Sequence, residues 1–409
     1  MKATNKINDR FDFAVFVPAI LLLIIGLVAI YSSTVNHPTA SGDFKKQVVT
    51  SIIALIIFGV AYSLPNRMYK SFVIPGFIIS LFFLIVVLFF GKTVYGAKSW
   101  LSIGPIGFQP SEFGKIGLIF FLSYLLTSKR RNPNNVKDFS IILAYSMLPV
   151  LLVILEPDVG TAIVYIFIIT IMLFWSGIDL FFVFVAVAPI AVLFSSFFGF
   201  AAFILLMIIV VALLFYFKKN IFVNMSIIIF NMATVYLFDF GFKFLKPHQQ
   251  KRIETFINPM SDPLGAGYNI IQTQVAIGSG GIWGKGFLQG NQTQLRFIPK
   301  QWTDFIYCVI GEEFGFIGST IVIILFMILL YRLLKIASQV NDRFGSLVVL
   351  GIFAFIATHF VINIGMNLGI APVIGIPLPF LSYGGSSLFV NMFLLGVVLN
   401  YYKNRREHV

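Results

Sequence analysis

Stretches of about twenty mostly apolar residues recur along nearly the whole chain, and they decide what it can become. In hydrocarbon every backbone N–H and C=O must find its partner inside the protein, so a spanning unit is a helix of roughly 20 residues. Runs of this kind lie near 13–33, 47–64, 71–90, 112–127, 139–155, 160–176, 180–197, 200–217, 221–243, 305–331, 345–365 and 380–402. With 58% hydrophobic residues, 11% charged residues and 48 phenylalanines in 409 positions, no soluble domain of this length could bury the rings. The expected fold class is an all-α polytopic integral membrane protein with up to twelve hydrophobic segments. It reads as a single membrane domain over 1–409.

A net charge of +13 does not point to nucleic acid, because that use needs a basic face on a water-exposed module. The positive-inside rule accounts for it instead. Lys2, Lys6 and Arg10, Arg67 and Lys70, the run Lys129, Arg130, Arg131 and Lys137, then Lys218 and Lys219, Arg332, Lys335 and Arg343, and finally Lys403, Arg405 and Arg406 all fall in alternate connections. Both termini are therefore expected in the cytoplasm. The first apolar run is too long for a secretory leader and lacks a small-residue cleavage site, so it is expected to remain as a span. Whether 180–217, with Pro189 and the Gly199 region, crosses twice or forms a hairpin leaves this parity unchanged. A single cysteine, Cys308, excludes an intrachain disulfide, and four scattered histidines have no metal-ligand spacing.

Three segments on the opposite side are rich in Gly and Pro: 91–111, 244–303 and 366–387. Irregular backbone near membrane depth needs protein or a wet cavity around it, so these segments are expected to open on one outer cavity. The large extracytoplasmic loop 244–303 breaks the charge rule, with Lys246, Lys251, Arg252, Lys285, Arg296 and Lys300 against only Glu254 and Asp262. That balance fits either a solvated surface loop or a site for an anionic headgroup. Its run GSGGIWGKG, Gly278 to Gly286, has the look of a backbone anion cradle. Asp262, bracketed by Pro259 and Pro263 and followed by Gly265 and Gly267, is either a turn residue or a carboxylate held for proton transfer. Ionisable groups in or beside spans are functional candidates: Glu112 and Lys115, three apart and able to pair on one helical face, Asp158 at a break between spans, and Asp304, Glu312 and Glu313 at the start of another. Many spans with embedded charge also fit a flippase or transporter, although no internal repeat is visible.

Taken together, GAKSWLSIGPIGFQPSEFGK, LEPDVGTA, INPMSDPLGAGYNIIQTQVAIGSGGIWGKGFLQGNQTQ, TDFIYCVIGEEFGFIG and GIPLPFLSYGGSS resemble, in this order, the SEDS family of shape, elongation, division and sporulation proteins, and within it the rod-elongation branch more than the division branch. The resemblance implies a ten-helix core and a peptidoglycan glycosyltransferase in the bacterial plasma membrane that polymerises lipid II, an undecaprenyl-diphosphate-linked disaccharide-peptide, on its outer face. It implies a class B penicillin-binding protein as partner, no organic cofactor, and a divalent cation (Mg or Mn) as a possible aid to the leaving diphosphate. It maps the catalytic aspartate to Asp262, the cavity ion pair to Glu112 and Lys115, and the acidic break residue to Asp158; Lys98, Lys285, Asp304 and Ser382 sit in the matching motifs as further candidates for substrate contact. Two departures stand beside these. The GA-x-R-W motif reads GAKSW, with Lys98 and Ser99, and P-E-x-H-T-D-F reads PKQWTDF, with Lys300 and Trp302.

Overall fold

Each of the twelve apolar runs is a helix in the computed structural model, which describes residues 10–94, 97–103, 106–128, 134–196, 199–217, 220–242, 250–251, 255–256, 260, 262–263, 265 and 267–406. Lys2, Lys6, Lys129, Arg130, Arg131, Lys218, Lys219, Lys246, Arg252 and Glu254 lie outside the described residues. In chain order the helices are α1 Phe13–Thr34, α2 Asp43–Ser63, α3 Asn66–Ser71, α4 Val73–Phe90, α5 Pro110–Thr127, α6 Val136–Leu155, α7 Val159–Trp175, α8 Leu180–Ser196, α9 Phe200–Tyr216, α10 Ile221–Phe242, α11 Tyr268–Ser279, α12 Asn291–Gln294, α13 Ile306–Gln339, α14 Arg343–Asn367 and α15 Gly385–Lys403. Seven of them, α1, α2, α4, α6, α13, α14 and α15, are long and apolar enough to cross a membrane, and α7 to α10 are shorter apolar helices.

Two kinds of element escaped the hydrophobic pattern. The Gly- and Pro-rich segment after α4 forms a small antiparallel sheet in the order β1 Lys92–Val94, β2 Ala97–Ile103, β3 Ile106–Phe108, with Val94 opposite Ala97 and Leu101 opposite Phe108. β1 and β3 are too short for a readable alternation, and AKSWLSI of β2 does not alternate. Within 244–303, α11 and α12 are helical; α11 buries Ile270, Thr273 and Ala276 along one side, a stripe too narrow and too polar to read as a span.

The chain forms two compact units, 1–172 with 268–409 and 173–267. In the smaller one, α8, α9 and α10 share a core of Phe181, Ala188, Val192, Val210, Leu214 and Ile227. In the larger one, α15 packs on α2, and α13 packs on both α1 and α14. Two capping aspartates tie one end of this unit together. Asp12 caps α1 by accepting from Ala14 N and pairs with Arg332 of α13; Asp342 caps α14 and pairs with Lys70 of α3 at 3.1 Å. Lys70 and Arg332, from two of the predicted basic connections, are held by these capping aspartates.

At the other end α13 breaks. Gly315 takes φ 65° and ψ −159°, so the helical ladder is interrupted on both sides of it. The segment 280–286 completes the missing bonds: Phe316 N and Ile317 N donate to Gly281 O and Ile282 O at 2.9 and 3.2 Å, while Lys285 N and Gly286 N donate to Glu312 O and Glu313 O at 3.0 Å each. This overturns the anion-cradle reading of GSGGIWGKG, because N–H groups of that run are spent on a broken helix. A Cβ on Gly284 (φ 82°) would stand 2.2 Å from Glu313 O. Gly284→Ala is expected to cost at least about 1–3 kcal/mol through backbone strain and clash. Gly278→Ala, in α11 with nothing within 4 Å, should stay within about 1 kcal/mol of the parent. Thermal unfolding in detergent compares the two, and equal melting temperatures would refute the docking.

Candidate functional site

Pro110 opens α5 at its first turn, where a missing N–H costs nothing, and the helix then carries Glu112 and Lys115 inward. Both are almost fully buried, and Lys115 Nζ lies 2.7 Å from Glu112 Oε1. The ammonium has two further neighbours that the sequence reading did not assign. His359 of α14 offers Nε2 at 3.2 Å, and the Phe355 ring centroid lies 5.2 Å away. His359 Nδ1 is 2.9 Å from Pro377 O; a ring that donates from Nδ1 to that carbonyl leaves Nε2 as an acceptor for the lysine.

His359 is the first rung of a polar ladder. Asn363 and Asn367 follow at four-residue spacing on the same face of α14, all three buried. Asn363 Nδ2 donates to Ile376 O at 2.7 Å and Asp304 O at 2.8 Å, and Asn367 Nδ2 donates to Asp304 O at 3.2 Å. Side chains thus supply hydrogen bonds to the extended segment after α14 and to the chain just before α13. Polar residues at helical spacing in THFVINIGMN were the available signal. Ser382, in the segment after α14, accepts from Leu378 N at 2.8 Å and its own N–H returns to Leu378 O at 3.0 Å, so it closes a turn beside Pro377.

Asp158 caps α7: Oδ1 accepts from Thr161 N at 3.0 Å and Oδ2 from Thr161 Oγ1 at 2.9 Å. Gln109, also unassigned from sequence, joins this cap to two other helices. Its Nε2 donates to Asp158 Oδ2 at 3.1 Å and its N–H to Ser386 Oγ of α15 at 3.3 Å, just before α5 begins. Lys98 N donates to Glu156 O at 3.0 Å, while Lys98 Nζ reaches Phe89 O at the end of α4 at 2.8 Å. Glu112, Lys115, Asp158, Asp304, Ser382 and the Lys98 backbone consequently belong to one set of linked segments. Lys285 does not join it. Its Nζ lies 2.8 Å from Glu312 Oε1, and Glu312 also accepts from Gln292 N, Thr293 N and Thr293 Oγ1 at 2.8–2.9 Å. Glu313 binds Ser32 Oγ of α1 at 2.6 Å. These two glutamates fasten the loop to the helices.

Glu156 lies next to the Asp158 cap, fully buried, with neither carboxyl oxygen hydrogen-bonded. Burial, and after it the charge of Asp158, push its carboxyl up to about 9 from an ordinary 4.5.

Asp262 belongs to the smaller unit. Its Oδ2 lies 2.7 Å from Lys251 Nζ, and its carbonyl accepts from Gly265 N at 3.2 Å and Gly267 N at 3.1 Å. A Cβ on Gly265 would sit 2.1 Å from Asp262 Oδ2. The glycine spacing in DPLGAGY therefore makes a turn whose backbone wraps the aspartate and leaves room for its carboxylate. Among the described residues no three His, Cys, Asp or Glu gather in a way that could hold a metal ion.

The sequence matches the family model described as cell cycle protein, FtsW/RodA/SpoVE, over residues 13–202 and 181–407. It is 34% identical to the peptidoglycan glycosyltransferase RodA of Treponema pallidum, covering 95% of this chain and 97% of the relative. With the peptidoglycan glycosyltransferase MrdB of Escherichia coli K12 it shares 33% identity over 95% and 94%, and with the stage V sporulation protein E of Bacillus subtilis 32% over 95% and 96%. Among solved structures, a chain from a peptidoglycan synthase complex that coordinates polymerisation and crosslinking superposes with TM-score 0.72 at 26% identity, over 97% of this chain and 99% of that one. The rod shape determining protein RodA of Thermus thermophilus shares the fold, with TM-score 0.65 at 23% identity over 97% and 98%.

Two outcomes test this geometry. Removing one partner of a buried pair leaves an uncompensated charge, at a cost of about 3–5 kcal/mol, so Lys115→Met alone should destabilise the protein more than Lys115→Met with Glu112→Gln. Additive losses in a double-mutant cycle would show that the two do not interact. For Glu156 the folded state holds a proton that the unfolded chain releases, so its contribution is complete below 4.5 and is lost as pH rises toward about 9. Glu156→Gln should therefore melt above the parent at about pH 8 and match it near pH 4.5, as read by thermal unfolding across pH.

Proposed function

The chain belongs to the FtsW/RodA/SpoVE family of cell cycle proteins, and from that membership we propose that it is a peptidoglycan glycosyltransferase. It polymerises lipid II into glycan strands at the outer face of the bacterial plasma membrane. The observation that carries this reading is identity of 33–34% along nearly the full length to peptidoglycan glycosyltransferases, together with a carboxylate, Asp262, held by its own turn and paired with Lys251. The N- and C-termini lie in the cytoplasm, in accord with the basic connections. A class B penicillin-binding protein cross-links the product as its partner, and the elongation branch is the closer fit, since the RodA and MrdB relatives reach 33–34% identity and the FtsW relatives 30–31%.

Asp262 acts as general base. The 4-hydroxyl of the acceptor GlcNAc attacks the anomeric carbon of the donor; the new glycosidic C–O bond forms as the bond to the diphosphate breaks, and the hydroxyl proton passes to the Asp262 carboxylate. A single displacement inverts the anomeric centre. Undecaprenyl diphosphate departs as an anion, so the leaving group asks for positive charge rather than for a second carboxylic acid of the glycosidase kind. Lys115, buried and paired with Glu112, ties α5 to His359 of α14, and its charge is met by its own carboxylate partner. A divalent cation, when bound, would supply further positive charge to the departing diphosphate. A polyprenyl tail that stays in lipid while the headgroup reacts accounts for an enzyme built of spans.

Asp262→Asn should lower lipid II polymerisation by about 10²–10⁴-fold, the usual contribution of a general base, with expression and partner binding retained. Glycan strands of normal length from this variant would sink the assignment. A flippase would instead move labelled lipid II across vesicles and tolerate the change. Gly265→Ala, which drives a Cβ against the Asp262 carboxylate, should reduce the rate while leaving the melting temperature of the larger unit in place.

A further inference from the structure

Gly315 divides α13 into two stretches with opposite surroundings. Before it, Ile306, Cys308, Val309 and Glu312 are fully buried. After it, Phe316 (68% exposed), Ile321, Ile324, Met327 and Tyr331 (64%) form an open apolar stripe at helical spacing. The rise from Phe316 to Tyr331 is about 22 Å, and to Lys335 about 28 Å, at 1.5 Å per residue, close to a hydrocarbon thickness of about 30 Å. Arg332 and Lys335 follow Tyr331, as charged residues do where a span leaves the bilayer.

The opposite end of the stripe is continued by a different piece of chain. Ile282 O accepts from Ile317 N, so the tip of the 280–286 segment stands level with the first turn after the break. There Ile282 is 62% and Trp283 81% exposed, and Phe287 beside them is half-exposed. The tip is held: four backbone bonds to α13 at 2.9–3.2 Å and the Lys285–Glu312 pair fasten it, so the apolar residues cannot fold back to hide.

We propose that the 280–287 segment is an interfacial membrane anchor, with Ile282 and Trp283 seated at the headgroup boundary of the bilayer at the end of α13 remote from Arg332. A lipid surface fits better than a partner helix for three reasons. The patch is continuous with the lipid-facing stripe of a span. Tyr331 and Trp283 mark its two ends in the manner of the aromatic belts. A tryptophan satisfies both media there, its ring in the acyl region and its indole N–H toward water and headgroups. The same anchor holds the backbone bonds that repair α13, so bilayer contact and helix repair are carried by one segment.

The test uses the full chain in phosphatidylcholine nanodiscs, with the emission of Trp283 taken as the difference between the parent and Trp283→Phe to remove Trp100, Trp175 and Trp302. Lipids brominated on shallow acyl carbons should quench this component at least about twofold more than lipids brominated near the chain ends, as expected of a belt residue. Aqueous iodide should quench it weakly. Strong iodide quenching with no effect of brominated lipid would place the tip in water and overturn the proposal. Bromine quenching that disappears when a partner transpeptidase is co-reconstituted would make the patch a protein contact and overturn it equally. Trp283→Phe keeps an aromatic ring at the position, and its melting curve checks that the difference signal comes from folded protein.

Discussion

A broken helix inside a membrane protein leaves carbonyls and N–H groups that water cannot reach, and the larger unit is organised around repairing that damage. At Gly315 the repair is backbone to backbone. The loop 280–286 supplies two donors to Glu312 O and Glu313 O and two acceptors to Phe316 N and Ile317 N. At the extended segment after α14 and at the residues just before α13 it is side chain to backbone, with His359 and Asn363 reaching Pro377 O and Ile376 O, and Asn363 and Asn367 reaching Asp304 O. Each such group buried in protein without a partner would cost about 1–3 kcal/mol. The irregular segments that bear candidate site residues can exist there only because α13 and α14 carry their hydrogen bonds.

The same constraint governs charge. Lys115 is buried to 1% exposure, and an ammonium buried there without a partner would cost several kcal/mol. A carboxylate at 2.7 Å, an imidazole nitrogen at 3.2 Å and an aromatic face at 5.2 Å stand in for water. Because His359 is also tied to Pro377 O, the position of the lysine is linked to that of the segment 376–382 and its Ser382 turn. The arrangement is rigid by construction: moving the cation means leaving Glu112 or turning the ring off its carbonyl.

How much of this could be read in the chain depends on the range of each interaction. The twelve apolar runs were legible because a span is a local pattern, and each run is a helix. The Glu112–Lys115 pair was legible because three residues is one helical turn. The DPLGAGY turn was legible in kind, through its prolines and glycines, although the close fit of Gly265 against the Asp262 carboxylate needed coordinates. His359 could not be placed beside Lys115, from which it is separated by 244 positions, and Gln109 could not be seen to join Asp158 to Ser386. The glycine-rich run Gly278–Gly286 misled for a related reason. Free N–H groups in a glycine loop look the same in sequence whether they face an anion or the broken ladder of another helix.

Charge counting has a similar limit. A total of +13 and a basic outer loop seemed to offer a large field for an anionic headgroup, yet many of the cations are already engaged within the protein. Lys98 caps the carbonyl of Phe89, Lys285 neutralises Glu312, Arg296 binds the carbonyl of Asn36, Lys70 and Arg332 hold the capping aspartates, and Lys115 faces Glu112. A lysine that satisfies an orphan carbonyl or a buried carboxylate contributes to fold and orientation first, and its field at a distance is cut by its own partner. What the outer segments could offer an anion therefore depends less on how many basic residues they contain than on which of them the fold has left to bind anything else.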